Sequence, residues 1–584
     1  MQDENEVNGS RTTDWTWLLA CAAISGLASF LRFFALEMRP LHHDEGVNGH
    51  FLTSLFREGV YKYDPANYHG PTLYYLTLPF TKLFGLDTIP VRASVAIWGI
   101  LIVVLAFYLR RYIGRIGALF AALFLAISPG MVYFSRYFIH EIFFVFLALG
   151  LVLSLAFFIE QKKPGPGAVI WIALTLLVCF FPTTLNLSAA VVKGNETLFW
   201  VISIAIFLVE AGLVFLIIRM LLGWNEGRPV YLLLASACVS LMFATKETAF
   251  VTLGTMLIAC ICIWIWPRLY PAAKNVNGEF HSAELSWANF RGALGTGTDR
   301  ILILVGVAAI FIYIWVLFFS SFFTYPEGVR KAFEAYSIWT KTGSKDHTQN
   351  GTWAYLKWGM EIEAPIMILS AVGTVIAFFK PRSTFAMFTG LWAFGLFAAY
   401  SLIPYKTPWL ALSFLLPMCI IGGFAINELA SLKQSAAKAA TVIVTIAACV
   451  VLSYQTYVLN FVRYDDEDMP YVYAHTKREF LELVAEIEHY SEKSGKGRDA
   501  KILIVSPEYW PLVWYMKDNP QAIFHGWIVP ANKAEMIVAK KGDQDRDVMR
   551  SYSAEYENVG TWGLRPGVDL VLLVRKDLAD KADR

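Results

Sequence analysis

The densest group of chemically useful side chains comes directly after the first apolar run of the chain. It comprises His42, His43, Asp44 and Glu45. A carboxylate at this position could accept a proton from a hydroxyl group and so act as a general base. It could equally cap the short helix that the apolar spacing of residues 47–56 predicts. The sequence leaves both interpretations of Asp44 open.

The same group offers donors for a metal ion. His43 and Asp44 supply one nitrogen and one oxygen, which suit a divalent cation. Two donors side by side are a weak metal motif. The sequence therefore implies no definite cofactor, and a divalent cation held by His43 and Asp44 is the only candidate.

Two further segments carry ionisable residues at the edge of apolar runs. The YHGP segment contains His69, which either faces an anionic group or is a polar residue of the membrane interface. The SRYFIHE segment contains Arg136, His140 and Glu141. Arg136 and His140 are four residues apart and would share one face of a continuous helix. Ionisable residues at this depth are costly, so a functional role is the default, with an internal salt bridge as the alternative.

Two later apolar runs are interrupted by basic residues. Lys246 lies in the segment TKET, and Tyr405 and Lys406 lie in LIPYKTPWL. Ammonium and phenol groups at a membrane surface suit phosphate oxygens. A lysine can also extend its ammonium to the interface without binding a ligand. Both interpretations stay open.

Long apolar runs must hold these segments in place. Of the 584 residues, 56% are hydrophobic and 16% are charged, whereas a soluble domain carries about 25% charged residues. The apolar runs are long enough to cross about 30 Å of hydrocarbon as helices. We predict a polytopic α-helical membrane protein with about 13 spans within residues 14–460. Residues 231–243 and 248–266 could form two of these spans or one broken span.

The loops between the runs alternate in charge. Lysine and arginine collect in every second loop, which the positive-inside rule assigns to the cytoplasm. Residues 1–13 are then a cytoplasmic tail. The histidines, acids and lysines discussed above all fall on the opposite face, whose main loops are residues 38–90 and 324–364. The net charge of +2 gives no support to a nucleic-acid partner.

The chain changes character after the last apolar run. Residues 470–584 have the spacing of an amphipathic helix followed by buried strands, as in KILIVS and VDLVLLVRK. About 110 residues are enough for a small α/β domain. We predict that this domain is soluble and extracytoplasmic, on the same face as the ionisable loops.

Several segments together resemble a known class. DEGVNGHFLTSLFREG, HGPTLYYLTLPFTKLFG, VRASVAIWGILIV and PGMVYFSRYFIHE are similar to membrane glycosyltransferases of the GT-C class. The similarity is greatest to the branch of protein O-mannosyltransferases and aminoarabinose–lipid A transferases. HHDEGVNGHF and SPEYWP…GLRPGV further resemble a prokaryotic subgroup, the flippase-activity-associated proteins of archaeal N-glycosylation.

The resemblance implies roles for individual residues. Asp44 would be the catalytic base, Glu45 its motif partner and Glu141 the second acidic residue of the site. For binding of the donor phosphate or the substrate, the resemblance points to His69, and the chemistry and placement discussed above add Arg136, His140, Lys246, Tyr405 and Lys406.

The implied activity is inverting transfer of one sugar from a polyprenyl-phosphate donor. The acceptor would be a glycan, a lipid or a protein at the outer face of the plasma membrane, with membrane lipids as further partners. The alternatives are a transporter and a non-catalytic partner of a lipid-linked sugar flippase. Transporters usually place polar sites near the bilayer midplane within repeated halves. Here the ionisable residues lie at the outer edge and no repeat is visible, which favours the enzyme.

Overall fold

The computed structural model describes residues 14–67, 69–192, 195–269, 285–343, 351–379, 383–542 and 544–579. The predicted cytoplasmic tail, Tyr68 and part of the predicted loop 324–364 lie outside this description. Within it, a helical part runs to Val462 and a small domain with one five-stranded sheet follows.

The helical part contains twenty helices among the described residues. The first ten are α1 (Trp15–Phe33), α2 (His43–Glu58), α3 (Thr72–Phe84), α4 (Thr88–Ala106), α5 (Arg110–Ile113), α6 (Arg115–Ile127), α7 (Pro129–Ser135), α8 (Glu141–Ile159), α9 (Pro166–Val191) and α10 (Glu196–Gly223). The next ten are α11 (Pro229–Phe243), α12 (Ala249–Leu269), α13 (Trp287–Ala293), α14 (Gly297–Phe319), α15 (Glu327–Gly343), α16 (Ala354–Ile362), α17 (Ala364–Phe379), α18 (Thr384–Leu402), α19 (Leu412–Ala430) and α20 (Ser435–Tyr457).

The described residues contain nine helices that are long and apolar enough to cross a membrane, or up to eleven if each of two bent pairs is one span. The centres of the thirteen predicted spans all lie in helices; they are Ile24, Ile100, Phe124, Leu149, Leu176, Phe207, Ala237, Leu257, Val307, Ser370, Ala393, Leu415 and Ile446. Two of them fall in the shorter apolar stretches Pro166–Leu177 and Pro229–Phe243, which explains the higher predicted number. Residues 231–243 and 249–266, predicted as two spans or one broken span, lie in the separate helices α11 and α12.

Two pairs of consecutive helices are sharply bent, and a buried acid joins the two breaks. The axis bends by 55° between α6 and α7 and by 108° between α16 and α17. Glu363 lies at the second break, where its Oε1 accepts hydrogen bonds from Ser128 Oγ (2.7 Å) and Gly130 N (2.8 Å) at the first. Ser128 also caps α7 by accepting from Met131 N. The two bends therefore support each other.

The small domain adds helices α21 (Glu479–Lys493), α22 (Leu512–Tyr515) and α23 (Asp545–Tyr552). Its strands are β1 (Ile502–Ile504), β2 (Ala522–Phe524), β3 (Met536–Lys540), β4 (Tyr556–Arg565) and β5 (Val568–Arg575), in the order β2-β1-β3-β5-β4. β1 is parallel to β2 and β3, whereas β5 is antiparallel to β3 and β4. The predicted strands KILIVS and VDLVLLVRK are thus β1 and β5.

The small domain packs directly on α2 of the helical part. A Cβ atom added at Gly46 would lie 2.6 Å from Pro511, and one at Gly49 would lie 2.5 Å from the ring of Trp514. Only glycine allows this approach. The amide of Leu41 also donates to Tyr515 Oη at 2.9 Å. The glycines of DEGVNG thus serve the docking of the small domain next to Asp44.

Candidate active site

A cavity of about 290 Å³ opens where five distant segments of the chain meet. These are the start of α2, the segment before α3, the start of α8 and the loops that precede α12 and α19. The predicted site residues among its walls are His43, Asp44, His69, His140, Glu141, Lys246 and Tyr405. Seven residues selected for their chemistry, spread over more than 360 positions of the chain, therefore share one space.

Asp44 is the second residue of α2, and it does not cap the helix. His42 is the N-cap: its Nδ1 accepts the amide hydrogen of Asp44 at 3.1 Å. The capping interpretation of Asp44 is therefore wrong. Over the residues that the structure describes, no donor forms a hydrogen bond or ion pair with the Asp44 carboxylate. That carboxylate lines the cavity and is available to a ligand.

The neighbouring Glu45 has the opposite environment. Its buried carboxylate accepts two hydrogen bonds from Arg92, at 2.8 and 2.7 Å, and two more from the amides of His42 and Phe138. Burial alone would raise the pKa of Glu45, but the Arg92 guanidinium outweighs it and holds that pKa below its usual range. Glu45 does not line the cavity. It anchors the first turn of α2 and so positions Asp44.

A buried ion pair forms one wall. Lys246 Nζ and Glu141 Oε1 lie 2.5 Å apart, and both side chains are buried. Burial alone would lower the pKa of Lys246, but the carboxylates of Glu141 and Glu247 outweigh it and raise that pKa above its usual value. Lys246 is therefore a permanent cation in the cavity wall.

A second acid–base pair lies beside the first. His69 Nδ1 and Glu247 Oε2 are 3.0 Å apart. Although burial alone would raise the pKa of Glu247, His69 and Lys246 keep it below its usual range. Sequence reasoning did not select Glu247, yet its position next to Lys246 inside an apolar run was a usable signal.

The segments that carry these pairs are held together by backbone contacts. The amide of Gly70 donates to the carbonyl of Thr245 at 3.0 Å. A Cβ atom at Gly70 would lie 1.9 Å from the carbonyl oxygen of Ala244, so residue 70 must be glycine for the segments to meet. His140 Nε2 lies 3.1 Å from the carbonyl oxygen of Gly70. Burial lowers the pKa of His140 well below its ordinary value, and His140 is a neutral donor in the wall.

Two residues that were predicted to bind the sugar donor, Arg136 and Lys406, lie apart from the other predicted site residues. Arg136 donates to the carbonyls of Leu31 (3.0 Å) and Ala35 (2.8 Å) at the end of α1. Lys406 donates to the carbonyl of Ile403, and its ammonium lies 5.8 Å from the ring centre of Tyr355. Neither side chain lines the cavity. Arg136 contacts backbone carbonyls, and Lys406 contacts a carbonyl and an aromatic ring. Hydropathy does not reveal contacts of this kind.

The metal site suggested by His43 and Asp44 lacks further ligands. The described residues contain no group of three or more histidine, cysteine, aspartate or glutamate side chains that could hold a metal ion. Instead, Arg565 Nη1 lies 3.0 Å from His43 Nδ1. Burial lowers the pKa of His43 to about 4, so its ring is neutral at pH 7 and accepts from this guanidinium. On this geometry the residues present do not by themselves fit a bound cation.

Comparisons with a protein-family model and with solved structures agree with this architecture. No curated protein sequence matches the chain. The family described as dolichyl-phosphate-mannose-protein mannosyltransferase matches residues 68–184, which include His69, His140 and Glu141. ArnT from Cupriavidus metallidurans, solved bound to undecaprenyl phosphate, is 14% identical with a TM-score of 0.58 over 97% of this chain and 99% of that one.

A second solved structure shares the fold with a lower TM-score. It is the archaeal oligosaccharyltransferase AglB from Archaeoglobus fulgidus, in complex with an inhibitory peptide and a dolichol-phosphate. It is 12% identical with a TM-score of 0.50 over 97% of this chain and 77% of that one. The chain thus has the GT-C glycosyltransferase fold, as predicted. The matches also support the predicted class, a lipid-phosphate-sugar-dependent glycosyltransferase.

Proposed function

We propose that the protein is an inverting glycosyltransferase that moves one sugar from a polyprenyl-phosphate donor to an acceptor at the outer membrane face. The observation that carries the proposal is the contrast within one cavity. Asp44 offers a carboxylate without a hydrogen-bond or ion-pair partner among the described residues, and Lys246 offers a buried ammonium group. A general base and a phosphate-binding cation are the two groups that this reaction requires.

The reaction follows from these two groups. Asp44 takes the proton of an acceptor hydroxyl while the hydroxyl oxygen attacks the anomeric carbon of the donor sugar. The bond between that carbon and the phosphate oxygen breaks, and the polyprenyl phosphate leaves with the electron pair. Because attack and departure occur on opposite faces of the anomeric carbon, the anomeric configuration of the sugar is inverted in the product. Lys246 stabilises the negative charge that develops on the leaving phosphate.

The surroundings of Lys246 suit a phosphate. An ammonium group has three donors, and Glu141 takes one of them. Neutral His140 and the His69–Glu247 pair border the same space, so a bound phosphate would meet several polar groups in a largely buried wall. ArnT and AglB, which share the fold, were solved with undecaprenyl phosphate and dolichol-phosphate. Both observations support a polyprenyl-phosphate donor.

The direct test is a sugar-transfer assay that also measures how much Lys246 contributes to donor binding. Purified protein incubated with radiolabelled polyprenyl-phosphate sugars and candidate acceptors should transfer label. In the Glu141→Gln background, Lys246→Ala should raise the donor KM by at least about tenfold, because a charge-assisted hydrogen bond contributes about 1.5–3 kcal/mol. The Glu141→Gln background avoids leaving an unpaired buried carboxylate when the lysine is removed.

Lys406→Ala is the matched comparison. Its ammonium is bonded to the carbonyl of Ile403 and does not line the cavity, so this variant should keep the donor KM of the wild type. An equal rise of KM in both lysine variants would contradict the assignment of the phosphate to Lys246. Failure of the wild type to transfer from any donor would favour a non-catalytic partner of a flippase.

The outer orientation of the site is part of the proposal and has its own test. Ser553 and Ser431 are both exposed, the first in the small domain and the second between α19 and α20. We expect Ser553→Cys to react with a membrane-impermeant maleimide on intact cells and Ser431→Cys to react only after lysis. The native cysteines lie in apolar helices, and the unmodified protein provides the background signal. The reverse labelling pattern would place the cavity on the cytoplasmic side.

A further inference from the structure

Two motifs of the small domain contact the cavity wall at His43 and have no part in the chemistry above. SPEYWP contributes Glu508 and Trp510, and GLRPGV contributes Arg565. Arg565 forms an ion pair with Glu508 and contacts His43 of the cavity wall at 3.0 Å. The ring centre of Trp510 lies 6.3 Å from that of His43. Both motifs thus border the residue next to Asp44.

An aromatic pair continues this border on the other side. Tyr473 and Trp409 have their ring centres 5.9 Å apart at an interplanar angle of 69°. Trp409 also lines the cavity, and the carbonyl of Tyr473 is 2.8 Å from Nε2 of His42, the N-cap of α2. We call Trp409, Tyr473, Glu508, Trp510 and Arg565 the rim cluster. Its five side chains are all partly exposed.

The chemistry of the rim cluster matches a sugar. Aromatic faces offer large apolar contact to the C–H faces of a pyranose at little cost in side-chain entropy. The planar, fork-shaped guanidinium of Arg565 can donate hydrogen bonds to sugar hydroxyl groups, and the carboxylate of Glu508 can accept hydrogen bonds from adjacent ones. The exposed fractions of these two side chains, 19% and 31%, leave their outer atoms open to a ligand.

A peptide acceptor fits this place less well. One common mode of peptide binding adds an extended strand to an open sheet edge. β4 is an edge strand and ends at Arg565, but its last residues are occupied. The carbonyl of Leu564 accepts from the amide of Lys477, and the amide of Gly563 donates to Glu479. Recognition at the rim must therefore rely on side chains.

We infer that the rim cluster is the acceptor subsite and that the acceptor is a glycan, one of whose hydroxyl groups is presented to Asp44. This inference rests on the proposed function and specifies its substrate class. The glycan binds between the small domain and the helical part, with a sugar ring against Tyr473 and Trp510 and hydroxyl groups on Arg565 and Glu508. The hydroxyl proton passes to Asp44 as the new glycosidic bond forms and the phosphate leaves.

The test measures binding without donor, so it does not depend on turnover. Full-length protein in nanodiscs is examined by saturation-transfer NMR with neutral hexose oligosaccharides of three to five units and with a capped peptide rich in serine, threonine and asparagine. We expect signals on sugar ring protons. Tyr473→Leu and Arg565→Gln should each weaken oligosaccharide binding by about five- to tenfold. Thermal unfolding of each variant confirms that it is folded.

Trp527→Leu is the matched control, since Trp527 is an exposed aromatic residue of the same domain outside the rim cluster. It should bind oligosaccharides like the wild type. Equal binding by the rim variants and the wild type, or signals from the peptide alone, would overturn the glycan assignment. Asp44→Asn should retain oligosaccharide binding. If Asp44→Asn also retained transfer, the proposed chemistry would fail while the glycan subsite stood.

Discussion

Replacing Asp44 by asparagine is expected to lower sugar transfer by about 10²–10⁴-fold, the contribution of a general base. Asparagine keeps the size of the side chain and removes its basicity. Because His42 caps α2 and no described donor holds the Asp44 carboxylate, the exchange breaks no hydrogen bond or ion pair of the described residues. The free energy of unfolding should therefore change by no more than about 0.5 kcal/mol.

The measurement is transfer per mole of monodisperse protein, with thermal unfolding recorded on the same sample. Asp64→Asn is the control, because Asp64 is an exposed carboxylate between α2 and α3 that does not line the cavity. It should transfer at the rate of the wild type. Near-normal turnover of Asp44→Asn would refute the base assignment.

Unlike Asp44→Asn, Glu45→Gln should cause a large loss of stability. The Glu45 and Arg92 side chains are fully buried, and glutamine would leave the guanidinium without its counter-charge. Breaking such a pair from one side costs about 3–5 kcal/mol. We expect a clear drop in the unfolding temperature and in the yield of monodisperse protein.

The double variant Glu45→Gln/Arg92→Met tests the cause. It removes both charges, so part of the lost stability should return. If Glu45→Gln were as stable as the wild type but inactive, Glu45 would act in the chemistry and not as the anchor of α2. The adjacent acids Asp44 and Glu45 thus provide a matched pair for separating catalysis from positioning.

The membrane architecture was largely readable from the sequence. Hydropathy depends on about twenty consecutive residues, so every predicted span position falls in a helix. The strands β1 and β5 were recognised for the same reason, since a buried strand is a short apolar run. Asp44, His140 and Lys246 stood out because an ionisable residue beside an apolar run is conspicuous locally, and the structure places all three in one cavity.

Other features depended on contacts between residues far apart in the chain. Asp44 and Glu45 are equivalent by type and position in the sequence, and only the approach of Arg92 from α4 makes one an anchor and leaves the other available. Arg136 and Lys406 resembled phosphate ligands, but both lie outside the cavity lining and donate to carbonyls near helix ends. The sequence could not show this, because helix ends and bends are set by packing.

Arg565 illustrates the same limit across the whole chain. It lies more than 500 positions from His43, and nothing local to GLRPGV indicates that it contacts the start of α2. The contact exists because Gly46 and Gly49 let the small domain approach α2 within van der Waals distance. The sequence by itself determined which segments enter the membrane and which carry charge, since both are properties of short stretches. The tertiary structure decided which charges are neutralised and which face the cavity, because pairing energies depend on distances between segments that only the packed fold sets.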